Sequence, residues 1–123
     1  MKFTLDADQG VNLIRSYARG EVRIGERVVQ SNCIVSADAV ITDWSPLRPA
    51  DLEIEHLEPI FRLEPQVVLL GTGATQLFPA RHIRAAFIER GIGLEAMDLG
   101  AACRTFNILV QEGRRVAAAL FLE

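Results

Sequence analysis

Apolar and polar residues change rhythm halfway along the chain. In "EVRIGERVVQSNCIVS" (21–36) they alternate, the period of a strand with one buried face. Gly25 interrupts the alternation with a turn signal, so the stretch predicts a β-hairpin. Before it, "KFTL" predicts an edge strand. After it, "AVITDW" (39–44) predicts a further strand closed by "SPLRP". Three prolines between 46 and 59 then mark irregular chain. "ADLEIEHL", lying among them, predicts a short helix with Asp51 near its start and Pro59 stopping it.

Beyond residue 65 strand and helix patterns take turns. "QVVLL" (66–70) is apolar throughout, as expected of a strand covered on both faces. Pro79 suits the first position of a helix running through Arg90, and Gly91 suits its end. On that helix Ile83, Ala86 and Phe87 share one face, while Arg81, Arg84 and Glu89 lie away from it. "IGLEAM" (92–97) is the next strand. Residues 100–112 form a second helix, with Ala102, Phe106, Leu109 and Val110 on its buried stripe and Gly113 as its stop. "RVAAALFL" (115–122) closes the series. Strand, helix, strand, helix, strand predicts a parallel βαβαβ unit with right-handed crossovers, hence an α/β fold with a β-rich first half.

Composition narrows the function more than it defines it. At 123 residues the chain fits one domain, 1–123, able to bury a core without a disulfide or metal staple. The net charge is −3, and 13 basic residues are scattered among 16 acidic ones. Nucleic acid as a main partner is therefore not expected, because phosphates call for concentrated positive charge. No apolar run is long enough for a signal peptide or a transmembrane segment, which predicts a cytoplasmic protein. Cys33 and Cys103 fit that compartment as free thiols, and with His56 and His82 they make no zinc spacing. No metal and no cofactor is expected.

"VVLLGTGATQLFP" (67–79) is the stretch closest to a nucleotide motif. The dinucleotide fingerprint needs a third glycine where Gln76 stands, and its helix opens inside the loop, whereas here Pro79 delays it. A Walker loop needs Gly-Lys, and Lys2 is the only lysine. Gly71 and Gly73 read better as a tight turn after a buried strand. The same sheet edge still offers a place for a ligand. Two parallel strands end near Leu70 and Asp98, and a crevice there would bring Gly71, Thr72 and Gly73 to the start of the 100–112 helix, with Ala102, Cys103, Arg104, Thr105 and Asn107.

Cys103 has two readings. In a first helical turn beside Arg104 it is a thiol of lowered pKa; on the face shared with Phe106 it is a small buried residue, the commoner use of free cysteine. Asp98 is better placed to cap the following helix than to act as a catalytic carboxylate. Thr105 and Asn107 sit mid-helix, a local cost without a local reason. Trp44 reads as a core or rim anchor beside Pro46; alternatively the charge-poor stretch of Trp44, Pro46 and Leu47 would present an apolar patch to a protein partner. No complete catalytic constellation is present, and no catalytic residue is assigned.

Taken together, "VVLLGTG", "GIGLEAMD", "AACRTFNILVQEGRRVAAALFL" and "GERVVQSNCIVS…VITDW" resemble the family catalogued as domain of unknown function 498, over about residues 17–121. The family motif falls on Gly71, Gly73, Ala102, Thr105, Asn107, Glu112, Gly113 and Arg114. Leu99 stands where family members often have threonine, which puts a hydroxyl-dependent role there in doubt. The resemblance implies a three-layer β/β/α domain of the Mth938-like type, with a mixed sheet and an N-terminal β-hairpin excursion. It also implies a protein-interaction or assembly role more than catalysis, with a protein partner and transient association with membrane complexes. The family includes a mitochondrial factor that helps assemble respiratory complex I. The alternative is a small-molecule or anion binder, or an enzyme, using the crevice at Gly71–Gly73.

Overall fold

The protein is described here by a computed structural model covering residues 10–123; the predicted "KFTL" strand lies outside them. Two sheets form. The smaller is a three-stranded antiparallel meander of β1 (Ile14–Ala18), β2 (Glu21–Ile24) and β3 (Arg27–Val29). The larger has five strands in the order β5-β4-β8-β6-β7, with β4 Cys33–Ser36, β5 Val40–Ile41, β6 Val67–Thr72, β7 Gly93–Met97 and β8 Val116–Phe121. It is mixed: β6 runs parallel to both β7 and β8, whereas β4 is antiparallel to β8 and β5.

The predicted βαβαβ unit is present. The helix α2 (Arg81–Glu89) links β6 to β7, and α3 (Leu99–Gln111) carries the chain from β7 back across β6 to β8. Because the two crossovers run in opposite directions, their helices cover opposite faces of the sheet. On one face Ile83 and Phe87 of α2 pack with Val68, Leu70, Ala117, Ala119 and Phe121. On the other, Ala102, Phe106 and Val110 of α3 and Val22, Ile24 and Val29 of the small sheet pack with Leu69, Ala118 and Leu120. All six residues of β8 are buried, as a strand between two covered faces requires. Phe106 is fully buried, a contribution of roughly 2–3 kcal/mol.

Several boundaries differ from the sequence expectation. The hairpin turns at Gly25, with φ +59°, but its second arm ends at Val29. Residues 33–36 leave for the large sheet and pair with β8, Ile34 opposite Ala119. The reason is burial: all four residues of β4 are inside, and a half-exposed hairpin arm cannot cover both their faces. Strand 39–44 shrinks to Val40–Ile41. In place of one helix in 50–57 there are two 3-10 turns, Pro49–Asp51 and Ile54–Leu57, followed by the short α1 (Glu58–Phe61). Pro59 lies in the first turn of α1 rather than stopping a helix, since that position needs no amide donor. Pro79 precedes α2, whose N-cap is Ala80. Finally, β6 extends through Gly71 and Thr72, so only Gly73, at φ +78°, makes the turn.

Candidate functional site

The Gly71–Gly73 loop and the start of α3 do meet at one sheet edge, and close packing explains both glycines. A Cβ on Gly71 would lie 2.9 Å from Leu120 Cδ2 and 3.0 Å from Ala102 Cβ, so the missing side chain lets α3 approach the sheet. A Cβ on Gly73 would collide with the Glu123 carbonyl oxygen. Thr72 between them is 3% exposed and fully engaged. Its hydroxyl accepts from Leu77 N at 3.0 Å and faces the carbonyls of Thr75 at 2.6 Å and Met97 at 3.1 Å. These bonds fold the 73–79 loop back on itself.

The first turn of α3 is largely satisfied from within. Leu99 N donates to Gly73 O at 2.7 Å, and Asp98 caps the helix by accepting from Ala101 N at 2.8 Å. Gly100, the second residue of α3, lies against Tyr17: a Cβ there would come within 2.7 Å of the Tyr17 hydroxyl. A crevice of about 390 Å³ opens beside this turn, lined by Tyr17, Arg19, Gly73, Asp98, Gly100 and Arg104, among others. Arg104 donates to the Tyr17 hydroxyl at 2.7 Å, and Arg19 pairs with Glu123 at 3.1 Å. Of the eight residues expected around a ligand, Gly73 and Arg104 line this crevice; Gly71, Thr72, Ala102, Cys103, Thr105 and Asn107 do not.

Cys103 and Asn107, like Gly71 and Thr72, have other duties. Cys103 is 2% exposed, and burial pushes its thiol up to about 12, with Cys33 adding to the rise and Arg104 opposing it. Of the two readings of Cys103 the buried one holds: desolvation outweighs the neighbouring guanidinium, and Cys103 is the fifth residue of α3, past its first turn. Cys33 is raised to about 12 by the same burial. Asn107 spans α3 and β1. Its Oδ1 accepts from Ile14 N and its Nδ2 donates to Ile14 O, both at 2.8 Å, so the amide side chain continues the strand's hydrogen bonding. That is the tertiary reason for an asparagine in mid-helix.

The apolar patch expected at Trp44, Pro46 and Leu47 is also corrected. Trp44 is 7% exposed; its ring lies 5.1 Å from that of Phe121, and its Nε1 donates to His56 O at 3.0 Å. Pro46 is buried as well, its carbonyl held by Asn32 Nδ2 at 2.8 Å. Leu47 alone projects, 79% exposed. His56 accepts from Glu53 N through Nδ1, and the exposed His82 lies 3.6 Å from Glu53. Tyr17 and Arg19 were absent from the sequence reading of the crevice, because Tyr17 reaches Arg104 across 87 residues and carries no local motif. No helix among the described residues is long and apolar enough to cross a membrane.

Comparison with known proteins agrees with this architecture. "NADH dehydrogenase [ubiquinone] 1 alpha subcomplex assembly factor 3" of Danio rerio is 36% identical over 110 residues, covering 88% of this chain and 63% of that protein, so the chain spans less than two thirds of that relative. The solution structure of a Xanthomonas campestris protein superposes with a TM-score of 0.83 at 35% identity, covering 99% of this chain and 92% of the other. A Bordetella pertussis protein described as a Mth938-like domain gives the same TM-score at 28% identity and the same coverage of both chains. Residues 14–121, from the first strand of the small sheet to the end of β8, match a single family description, and the chain belongs to that family: Protein of unknown function (DUF498/DUF598).

Proposed function

We propose that the protein is a non-catalytic interaction or assembly factor acting in the assembly of a respiratory NADH dehydrogenase. The observation that carries this reading is the 36% identity, over 88% of the chain, to a protein named as an assembly factor for that enzyme. The local chemistry is compatible with it. Thr72, Asp98 and Asn107 spend their polar atoms on the protein's own backbone, and the Cys103 thiol is held protonated by burial. The test is deletion of the gene in its own organism, followed by native-gel separation of membrane complexes and an in-gel NADH dehydrogenase stain. The expected result is less assembled enzyme, with subassemblies accumulating and other respiratory complexes unchanged. Normal assembly of the enzyme in the deletion strain would reject the reading.

The crevice beside α3 supports a second reading, a binder of a small anion. Arg19 and Arg104 line it, with Gly100 in the first turn of α3. Asp98 and Glu123 line it too, and they oppose that charge. Thermal stabilisation by millimolar phosphate that disappears in Arg104→Ala would favour this reading; no shift would remove it.

A further inference from the structure

The large sheet has two edges, and they are not equally protected. β5, at one end, has two residues. In the small sheet, β3 has three, and Asn107 ties β1 to α3. β7 is a five-residue edge strand with β6 on one side and, among the described residues, no strand on the other. The usual means of blunting an edge are short strands, proline, charged side chains (lysine above all), a bulge or a covering loop, and of the charged side chains β7 carries only Glu95. β7 contains neither proline nor lysine, and it pairs with β6 in unbroken register from Gly93 to Met97.

The direction of each backbone group follows from the ladder. Gly93 N donates to Gln66 O, and Gly93 pairs with Val67, so Gly93, Glu95 and Met97 turn their amides and carbonyls toward β6. Leu94 and Ala96 turn theirs outward. One side chain already occupies that row: Gln76 Nε2 donates to Ala96 O at 2.8 Å, where the backbone amide of an added strand would sit. Leu77 and Phe78, the next two residues, are 47% and 69% exposed. Glu95, the only charged residue of β7, is exposed and belongs to none of the ion pairs among the described residues.

We propose that the outer edge of β7 is a strand-addition site for an extended segment of a partner protein that places a basic side chain opposite Glu95. Outward amide and carbonyl groups of one strand fit the main chain of another extended strand. Charge selects the kind of strand, since opposite charges across a ladder stabilise and like charges repel. That rule also disfavours a second copy: the antiparallel register that uses Leu94 and Ala96 of both copies sets Glu95 against Glu95. Leu77 and Phe78 offer an apolar contact to the segment as it passes the end of β7. Gln76 holds the place until the segment displaces it. The proposal rests on the protein-interaction reading and names the surface that performs it.

The test is amide hydrogen exchange of the whole protein, resolved by residue, alone and with a blocked five-residue peptide that has lysine at its centre and valine on both sides. In the free protein Leu94 N–H should exchange fast, while Gly93 and Glu95 are protected. At peptide concentrations of about 1 mM, Leu94 should gain at least about tenfold protection. The same peptide with glutamate in place of lysine should protect far less. Ala96→Pro should abolish the effect, because it removes an outward amide and no bond to β6. Glu95→Lys, which leaves the backbone intact, should reverse the peptide preference and guards against misfolding of the proline variant. No protection of Leu94 by the lysine peptide, or equal protection by both peptides, would overturn the proposal. Protection of Leu94 in the free protein with the mass of a dimer would overturn it in favour of self-pairing. The readout does not involve the respiratory enzyme, so normal assembly in the deletion strain would reject the assembly reading while leaving this result standing.

Discussion

Replacing Asn107 by alanine separates a structural from a ligand-binding role by the sign of its effect on stability. In the structure the side chain closes two 2.8 Å hydrogen bonds on the backbone of Ile14, a residue whose side chain is 5% exposed. Asn107→Ala leaves the Ile14 amide and carbonyl unpaired at the junction of β1 and α3. Each such group costs about 1–3 kcal/mol, so the pair costs roughly 2–6 kcal/mol. Alanine returns about 0.6 kcal/mol through its better helix propensity. The net expectation is a loss of roughly 1.5–5 kcal/mol, which for a chain of this size lowers Tm by roughly 5–20 °C. Urea unfolding at 25 °C, followed by far-UV circular dichroism, gives the difference directly, with m unchanged. The exposed neighbour Ile108→Ala is the control and should stay within about 0.5 kcal/mol. Were Asn107 a ligand contact with no structural duty, alanine would leave stability unchanged or raise it by a few tenths of a kcal/mol. A loss below about 1 kcal/mol would refute the tether.

Thr72→Val keeps the shape and removes the hydroxyl, leaving Leu77 N without its acceptor and the 73–79 loop unstapled. A loss of about 1–3 kcal/mol is expected by the same urea assay, with faster amide exchange confined to that loop. The buried thiols of Cys33 and Cys103 should not react with a disulfide reagent at pH 8 until the protein is unfolded, and rapid release of either from the native state would refute their burial. Their folded-state values, about 12, lie above the ordinary 9.0, so the folded state holds the protons more tightly. Their contribution to stability is therefore complete below about pH 9 and is lost as pH rises toward 12. Cys103→Ala should flatten that decline, read from urea midpoints between pH 8 and 11.

Local pattern carried much of this architecture. The change from alternating to continuous apolar runs marked β6 as covered on both faces, and the periodic stripes of α2 and α3 identified Phe87, Ala102, Phe106 and Val110 as core. Asp98 was legible as a cap because a helix start is a matter of adjacent residues. Side-chain period, glycine conformation and capping act over a few residues, and the sequence by itself determined what depends on them. Tertiary structure decided which strand meets which. Nothing in 21–36 says that Cys33–Ser36 abandons its hairpin for Ala117–Leu120, since that pairing is set by distant residues that bury both its faces. It also decided between readings left open for particular residues. Cys103 is inert and Trp44 lies inside because their environments are built by β4, β8 and the His56 carbonyl. Desolvation and long-range hydrogen bonds are properties of what surrounds a residue, and for Asn107 the partner, Ile14, lies 93 residues away.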